Sequence, residues 1–138
     1  MAGTISLTIS SEIGQIPKIS AALEEAMQSH AFAEEEILDT QLAVEEAITN
    51  SIVHGYRGKT GTVMVIIHVS RGIAEIQIED NAEQFDPLSI PEPDLAGDLE
   101  ERHIGGLGIF LIRQVMDEVV YRYEDGKNIL SLVKRKGA

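Results

Sequence analysis

The sequence predicts an α+β fold: a two-layer sandwich with a mixed, mostly antiparallel sheet and three helices on one face. Three observations predict it. Short turn signals join strand-like segments into hairpins, two long segments repeat apolar residues at helical spacing, and a third apolar helix follows a glycine cluster.

The elements follow in order. Residues 4–10 (TISLTIS) alternate apolar and hydroxyl side chains, the pattern of a half-exposed strand. Ser11 stands where a helix cap is wanted, and Ile13, Ile16, Ile19, Leu23 and Met27 then recur at helical spacing to about Ser29. A second helix is expected from about Ala33 to His54, stopped by Gly55, with Leu38, Leu42, Ile48, Ile52 and Val53 as its core contacts. Thr62 to Ser70 and Ile73 to Asp80 read as strands joined through Arg71-Gly72. Residues 81–103 lose all periodicity and carry Pro87, Pro91, Pro93, Gly97 and several acids, so a lid over about 86–103 is expected. The third helix opens at Gly105/Gly106 and runs to about Asp117. Val119 to Tyr123 and Asn128 to Lys134 then flank an Asp125-Gly126 turn. At 138 residues the chain (1–138) reads as one domain.

Composition narrows the function. The chain is 43% hydrophobic and 25% charged, a globular balance. It has no cysteine, so disulfides and thiolate metal sites are excluded. A net charge of −12 argues against direct nucleic-acid binding and against an anionic membrane surface. No apolar run approaches the ~20 residues of a membrane span. The first residues lack a signal-peptide pattern, and a cytoplasmic location is expected. No Lys or Arg lies between Lys18 and Arg57, where eight acids fall, so this stretch reads as a solvated helical face or a docking surface for a basic partner.

Glu46, Asn50 and His54 lie four apart on the second helix and share one stripe. A carboxamide and a carboxylate one turn apart suit a magnesium site, with Asn50 on the metal and Glu46 activating a nucleophile. The same spacing fits an ordinary exposed polar face. Asp80 ends a strand, where it either accepts a hydrogen bond from a ligand amino group or begins a turn with Asn81. Phe85 is a pocket wall or a loop residue tacked to the core. Gly105-Gly106-Leu107-Gly108 opens a helix, so backbone N–H groups there can meet a phosphate. It lacks the strand-first order of a dinucleotide fold and the Lys-Ser/Thr of a Walker loop.

Taken in order, these signals resemble the ATP-binding fold of gyrase, Hsp90, histidine kinases and MutL, known as the Bergerat or histidine-kinase-like fold. More closely, Glu46-Ala47-Ile48-Thr49-Asn50 with Ser51 to Tyr56 resembles the N box of the bacterial anti-sigma-factor serine/threonine-protein kinases. Asp80 to Pro87 is similar to their G1 box, and Gly105 to Ile112 with Met116 to Val119 to their G2 box. The resemblance implies an ATP-dependent kinase of a serine on an anti-anti-sigma (STAS-domain) protein that also sequesters an RNA polymerase sigma factor, as a homodimer. It implies ATP and Mg²⁺ as cofactors, Glu46 as general base and Asn50 as metal ligand. The nucleotide-binding residues would be Asn50, His54, Asp80, Ala82, Phe85, Gly105, Gly106, Leu107, Gly108 and Ile109. Arg102 is expected to turn inward to the phosphates. Ala82 departs from the usual glycine, adding a methyl group and restricting φ beside the base. The alternative is a nucleotide-gated binding switch of the same fold without phosphotransfer. A detached histidine-kinase catalytic domain or a repair ATPase fits less well, because the chain shows neither a histidine-bearing dimerisation hairpin nor a transducer domain.

Overall fold

Alternation along the strands decides the sheet, because it lets one face go wholly to the core. The computed structural model describes residues 3–89 and 107–137. Its strands are β1 (Gly3–Ser10), β2 (Thr62–Ser70), β3 (Ile73–Asp80), β4 (Glu118–Glu124) and β5 (Lys127–Arg135). They form one sheet in the order β1-β2-β3-β5-β4, antiparallel throughout, a stricter pattern than the mostly antiparallel one expected. Val63, Val65, Ile67 and Val69 of β2 and Ala74, Ile76 and Ile78 of β3 are buried, while the residues between them face outward. Both hairpin turns take the predicted form. Asp125 and Gly126 have φ of 53° and 75°, the paired positive values that match the twist of a tight hairpin.

Helices α1 (Ile16–Ser29), α2 (Glu34–Asn50) and α3 (Leu107–Val115) supply the second layer. Ile16, Ile19, Leu23 and Met27 of α1 are buried, as their spacing predicts. Ile13 is not: it sits in a short 3₁₀ turn (Ile13–Gln15) and is 56% exposed. Ser11 does not cap α1 either. Its hydroxyl donates to the Lys59 carbonyl at 3.2 Å and accepts the Gly61 N–H at 2.9 Å, tying the 57–61 loop to the end of β1.

The core face of α2 differs from the expected one. Ile37, Thr40, Ala43, Val44, Ala47 and Ile48 are buried, whereas Leu38 is exposed and Leu42 only half-buried. Small residues at positions 40, 43 and 47 let the helix approach the sheet and α1 closely, so the buried stripe follows them rather than the largest side chains. After Asn50 the helix widens into a π-helical turn, Ser51–Tyr56, and stops at Arg57 in the left-handed conformation (φ 52°), not at Gly55. The wider turn shifts the register, leaving Val53 and His54 exposed and Tyr56 buried. The Tyr56 hydroxyl donates to the Thr62 carbonyl (2.6 Å) and accepts the Asn81 N–H (2.9 Å). Gly61 is required beneath it, since any Cβ there would run into the Tyr56 ring.

The end of β5 fastens the helices. Lys134 Nζ donates to the Val115 carbonyl at the end of α3 (2.6 Å) and to Asp39 of α2 (3.3 Å). Glu36, in an acidic first turn of α2 that complements the helix dipole, accepts the N–H groups of Gly137 (2.6 Å) and Ala33 (2.7 Å). These bonds, the Gly137 one first, hold its carboxyl below the ordinary glutamate pKa. A lowered folded-state pKa gives stability that is present above about pH 4.3 and is lost as pH falls through the folded value. Glu36→Gln is therefore expected to cost a fraction of about 1 kcal/mol near neutral pH, the group being only partly buried. In urea unfolding the gap between the two proteins should shrink as pH falls below about 4.3 and close once pH has passed the lowered folded-state value.

Candidate functional site

An open cavity of about 430 Å³ lies between α2, the π-helical turn and the inner face of the sheet. That volume includes open solvent at the mouth. Asn50, Ser51 and Gly55 line it from the helix side, Asp80 and Asn128 from the sheet, and Phe85 and Tyr121 form aromatic walls.

Asp80 is 7% exposed, so its carboxylate needs partners. Ser51 Oγ donates to Oδ2 at 2.7 Å, while the Ala82 N–H (3.0 Å) and Asn128 Nδ2 (2.9 Å) donate to Oδ1. A carboxylate offers about four acceptor positions, so one remains for a donor in the cavity. The π-helical turn matters here because it begins at Ser51 and directs that hydroxyl toward the sheet. Tyr121 donates to Asn128 Oδ1 at 2.6 Å. Burial first, and then the nearby Asp86 charge, push the Tyr121 phenol above its ordinary pKa, so it remains a hydrogen-bond donor at neutral pH.

A second cluster lies on α2 and α3. A Cβ placed on Gly108 would stand 2.8 Å from Glu46 Oε2 and 3.7 Å from Asn50 Nδ2, so both side chains converge on the first turn of α3. Both are half-buried, and among the described residues neither side chain makes a hydrogen bond or ion pair. Unengaged polar groups held against a glycine at a helix start suit an anionic ligand with its cation. Among the described residues no cluster of three or more His, Cys, Asp or Glu is gathered for a metal. A cation here would rest on Asn50 and on oxygens of the ligand.

The other expected residues divide. Ala82 is buried with a negative φ, and its methyl leans on Gly55: a Cβ at 55 would stand 3.2 Å from it. The departure from glycine is thus absorbed by the helix and does not narrow the cavity. Phe85 lines the cavity as a wall and is 36% exposed. Ile109 is a core residue, 2% exposed, that fixes α3 beneath the site. His54 is exposed on the π-helical turn and is not among the residues that line the cavity. Leu107 begins α3. Gly105, Gly106, Arg102 and nearly all of the expected lid lie outside the described residues. Sequence reasoning missed Tyr121 and Asn128 and gave Ser51 no role of its own. Only the Asp125-Gly126 turn hinted at it, by folding the strand of Tyr121 onto that of Asn128, where the two lie diagonally across the pair.

Comparison with known families matches residues 9–134 to the histidine kinase-like ATPase domain. The chain belongs to the histidine kinase-like ATPase family. As an ATPase domain it uses ATP. Relatives include the serine-protein kinase RsbW of Listeria innocua, 36% identical over 104 residues, which cover 72% of this chain and 66% of that one. The serine-protein kinase RsbW of Bacillus cereus is 28% identical over 103 residues, with 72% and 64% covered. This ATPase domain thus spans just under two thirds of the curated relatives it matches. The fold matches the crystal structure of the RsbU and RsbW domains of a Mycobacterium tuberculosis protein, with a TM-score of 0.70 at 16% identity, covering 97% of this chain and 32% of that one. No helix among the described residues is long and apolar enough to cross a membrane.

The contact between Gly108 and Glu46 gives a prediction. In Gly108→Ala the far end of a flexible carboxylate must move, which costs little, and alanine suits a helix better by about 1 kcal/mol. The thermal midpoint should therefore hold or rise slightly, while ATP affinity falls about tenfold or more because the methyl fills the approach to the N-terminus of α3. Calorimetric unfolding and ATP titration of one preparation would check both halves.

Proposed function

We propose that this chain is an anti-sigma regulatory kinase that binds ATP with Mg²⁺ and phosphorylates a serine of an anti-anti-sigma (STAS-domain) protein. In this reading it also holds a sigma factor inactive, acting in the cytoplasm as a homodimer. The observation that carries the proposal is the convergence of two unengaged side chains, Glu46 and Asn50, on Gly108. This cluster adjoins a cavity whose inner wall holds Asp80 with a spare acceptor position. Similarity to proteins named serine-protein kinase RsbW supports the choice of substrate and partners.

Each residue has a part in the proposed transfer. Asp80 accepts a hydrogen bond from the amino group of adenine, and Phe85 and Tyr121 flank the ring. Asn50 would hold the cation through its amide oxygen. The first turn of α3, at Gly108, brings backbone N–H groups to the phosphates. When bound, the Mg²⁺ nucleotide supplies the phosphoryl group and the charge neutralisation that transfer depends on. Glu46 takes the proton from the partner's serine hydroxyl as its oxygen bonds to phosphorus, and the leaving oxygen stays with the diphosphate.

Labelled ATP and a purified STAS protein test this directly. Glu46→Gln is expected to lower phosphate transfer about 10²- to 10⁴-fold, the usual scale of a general base, with ATP affinity within about threefold of wild type. Transfer that survives this substitution would remove Glu46 from the mechanism. A wild-type protein that binds the partner in a nucleotide-dependent way yet labels no serine would favour the switch without phosphotransfer.

A further inference from the structure

Asn128 is buried, 7% exposed, and lies at the start of β5 directly opposite Asp80 in the sheet register. Its amide nitrogen donates to Asp80 Oδ1 at 2.9 Å, to the Glu83 carbonyl at 3.1 Å and to the Ala82 carbonyl at 3.2 Å. Its amide oxygen accepts the Phe85 N–H at 3.0 Å and the Tyr121 hydroxyl at 2.6 Å. The amide orientation follows from chemistry. Turning it over would set its oxygen against a carboxylate and two carbonyls, and its nitrogen against two donors.

We infer that Asn128, held by Tyr121, is the positioning residue that sets the base specificity of the site by fixing the Asp80 carboxylate and the 82–85 turn. The inference rests on the proposed adenine reading by Asp80. Asn128 lines the cavity but has no hydrogen-bonding capacity left for a ligand, because its nitrogen shares two hydrogens among three acceptors and its oxygen serves two donors. Its influence must therefore pass through the groups it holds. Asp80 has rotational freedom about its side-chain bonds, and Ser51 restrains only Oδ2. Asn128 and the Ala82 N–H both hold Oδ1, and Asn128 also holds the turn that carries that N–H, so with Ser51 they direct the remaining acceptor position into the cavity. The same amide straps the turn that carries Phe85, so the aromatic wall and the carboxylate keep a constant separation. Glu46 and Asn50 take no part in this network, so the phosphate end is independent of it.

The test compares binding of ATP with that of purine riboside triphosphate, which lacks only the 6-amino group, to the folded full chain with Mg²⁺. Wild type is expected to prefer ATP. Asn128→Leu, close in size but without hydrogen bonds, should weaken ATP about tenfold or more while weakening the purine analogue less than about threefold, so the preference collapses. Tyr121→Phe, which keeps the ring and removes only the donor to Asn128, should narrow the preference in the same sense by a smaller factor and serves where Asn128→Leu fails to fold. The ATP to ADP affinity ratio, which reads the phosphate end, should stay unchanged in both. Equal losses for the two nucleotides, or an intact preference in a folded variant, would overturn the inference. Asp80→Asn separates the two levels: an unchanged preference there removes the adenine reading itself, whereas a lost preference with no effect at Asn128 or Tyr121 removes only the positioning role.

Discussion

A buried carboxylate is the constraint around which this molecule is arranged. Asp80 sits where β3 meets the helical layer, with too little water to solvate it, so the fold must supply donors from several directions. Ser51 arrives from the helix, the Ala82 N–H from the turn and Asn128 from the next strand. Each demand has a cost elsewhere. The π-helical turn departs from the regular helix and leaves Val53 exposed. An apolar residue at 80 would remove the need for these donors, which fits the proposed use of the position for a ligand donor.

Gly55 and Ala82 show how closely the constraint is met. The helix passes so near the turn that one Cβ fits between them and two would crowd each other. This chain carries the methyl on the turn and none on the helix. The site tolerates an alanine where the family resemblance calls for glycine because the space is settled jointly, and because the turn at Ala82 does not use a positive φ. A reading of the G1 box by itself treats Ala82 as a lesion. Paired with Gly55, it is a packing choice.

What the sequence made legible follows the range of the physics involved. Strand alternation, hairpin turns and the spacing of Ile16, Ile19, Leu23 and Met27 are local patterns, and they place the sheet and α1 correctly. Glu46 and Asn50 are one helical turn apart and were visible for the same reason. The face of α2 was harder, because Ala43, Ala47 and Thr40 carry little hydrophobic signal while Leu38 carries much and is exposed. His54 was placed by assuming an ideal helix through a segment that is π-helical, which no composition rule announces. Asn128 and Tyr121 were invisible because their meaning lies in partners over 40 positions away or across a hairpin. Ser11 failed similarly: its hydroxyl had two uses, and a distant loop took it.

The two ends of the site are built on opposite principles, and the chemistry expected of them explains why. At the Asp80 end every polar atom but one acceptor position is committed, which suits recognition of a fixed planar base, since pre-ordered groups pay no ordering cost on binding. At the Glu46 end the polar groups are uncommitted and the backbone near them is glycine. Phosphoryl transfer asks its residues to serve several arrangements of phosphate, cation and nucleophile in turn, so groups locked in hydrogen bonds would hinder it. What must not move there is α3 itself. Lys134 holds the last carbonyl of that helix and Asp39 of α2 at the far side of the layer, so the helix is pinned at its C-terminus and its N-terminus alone is left to meet ligand. In the proposed reading a rigid reader and an adaptable transfer end share one cavity, the first tied down mainly by β3 and β5 and the second carried by α2 and α3.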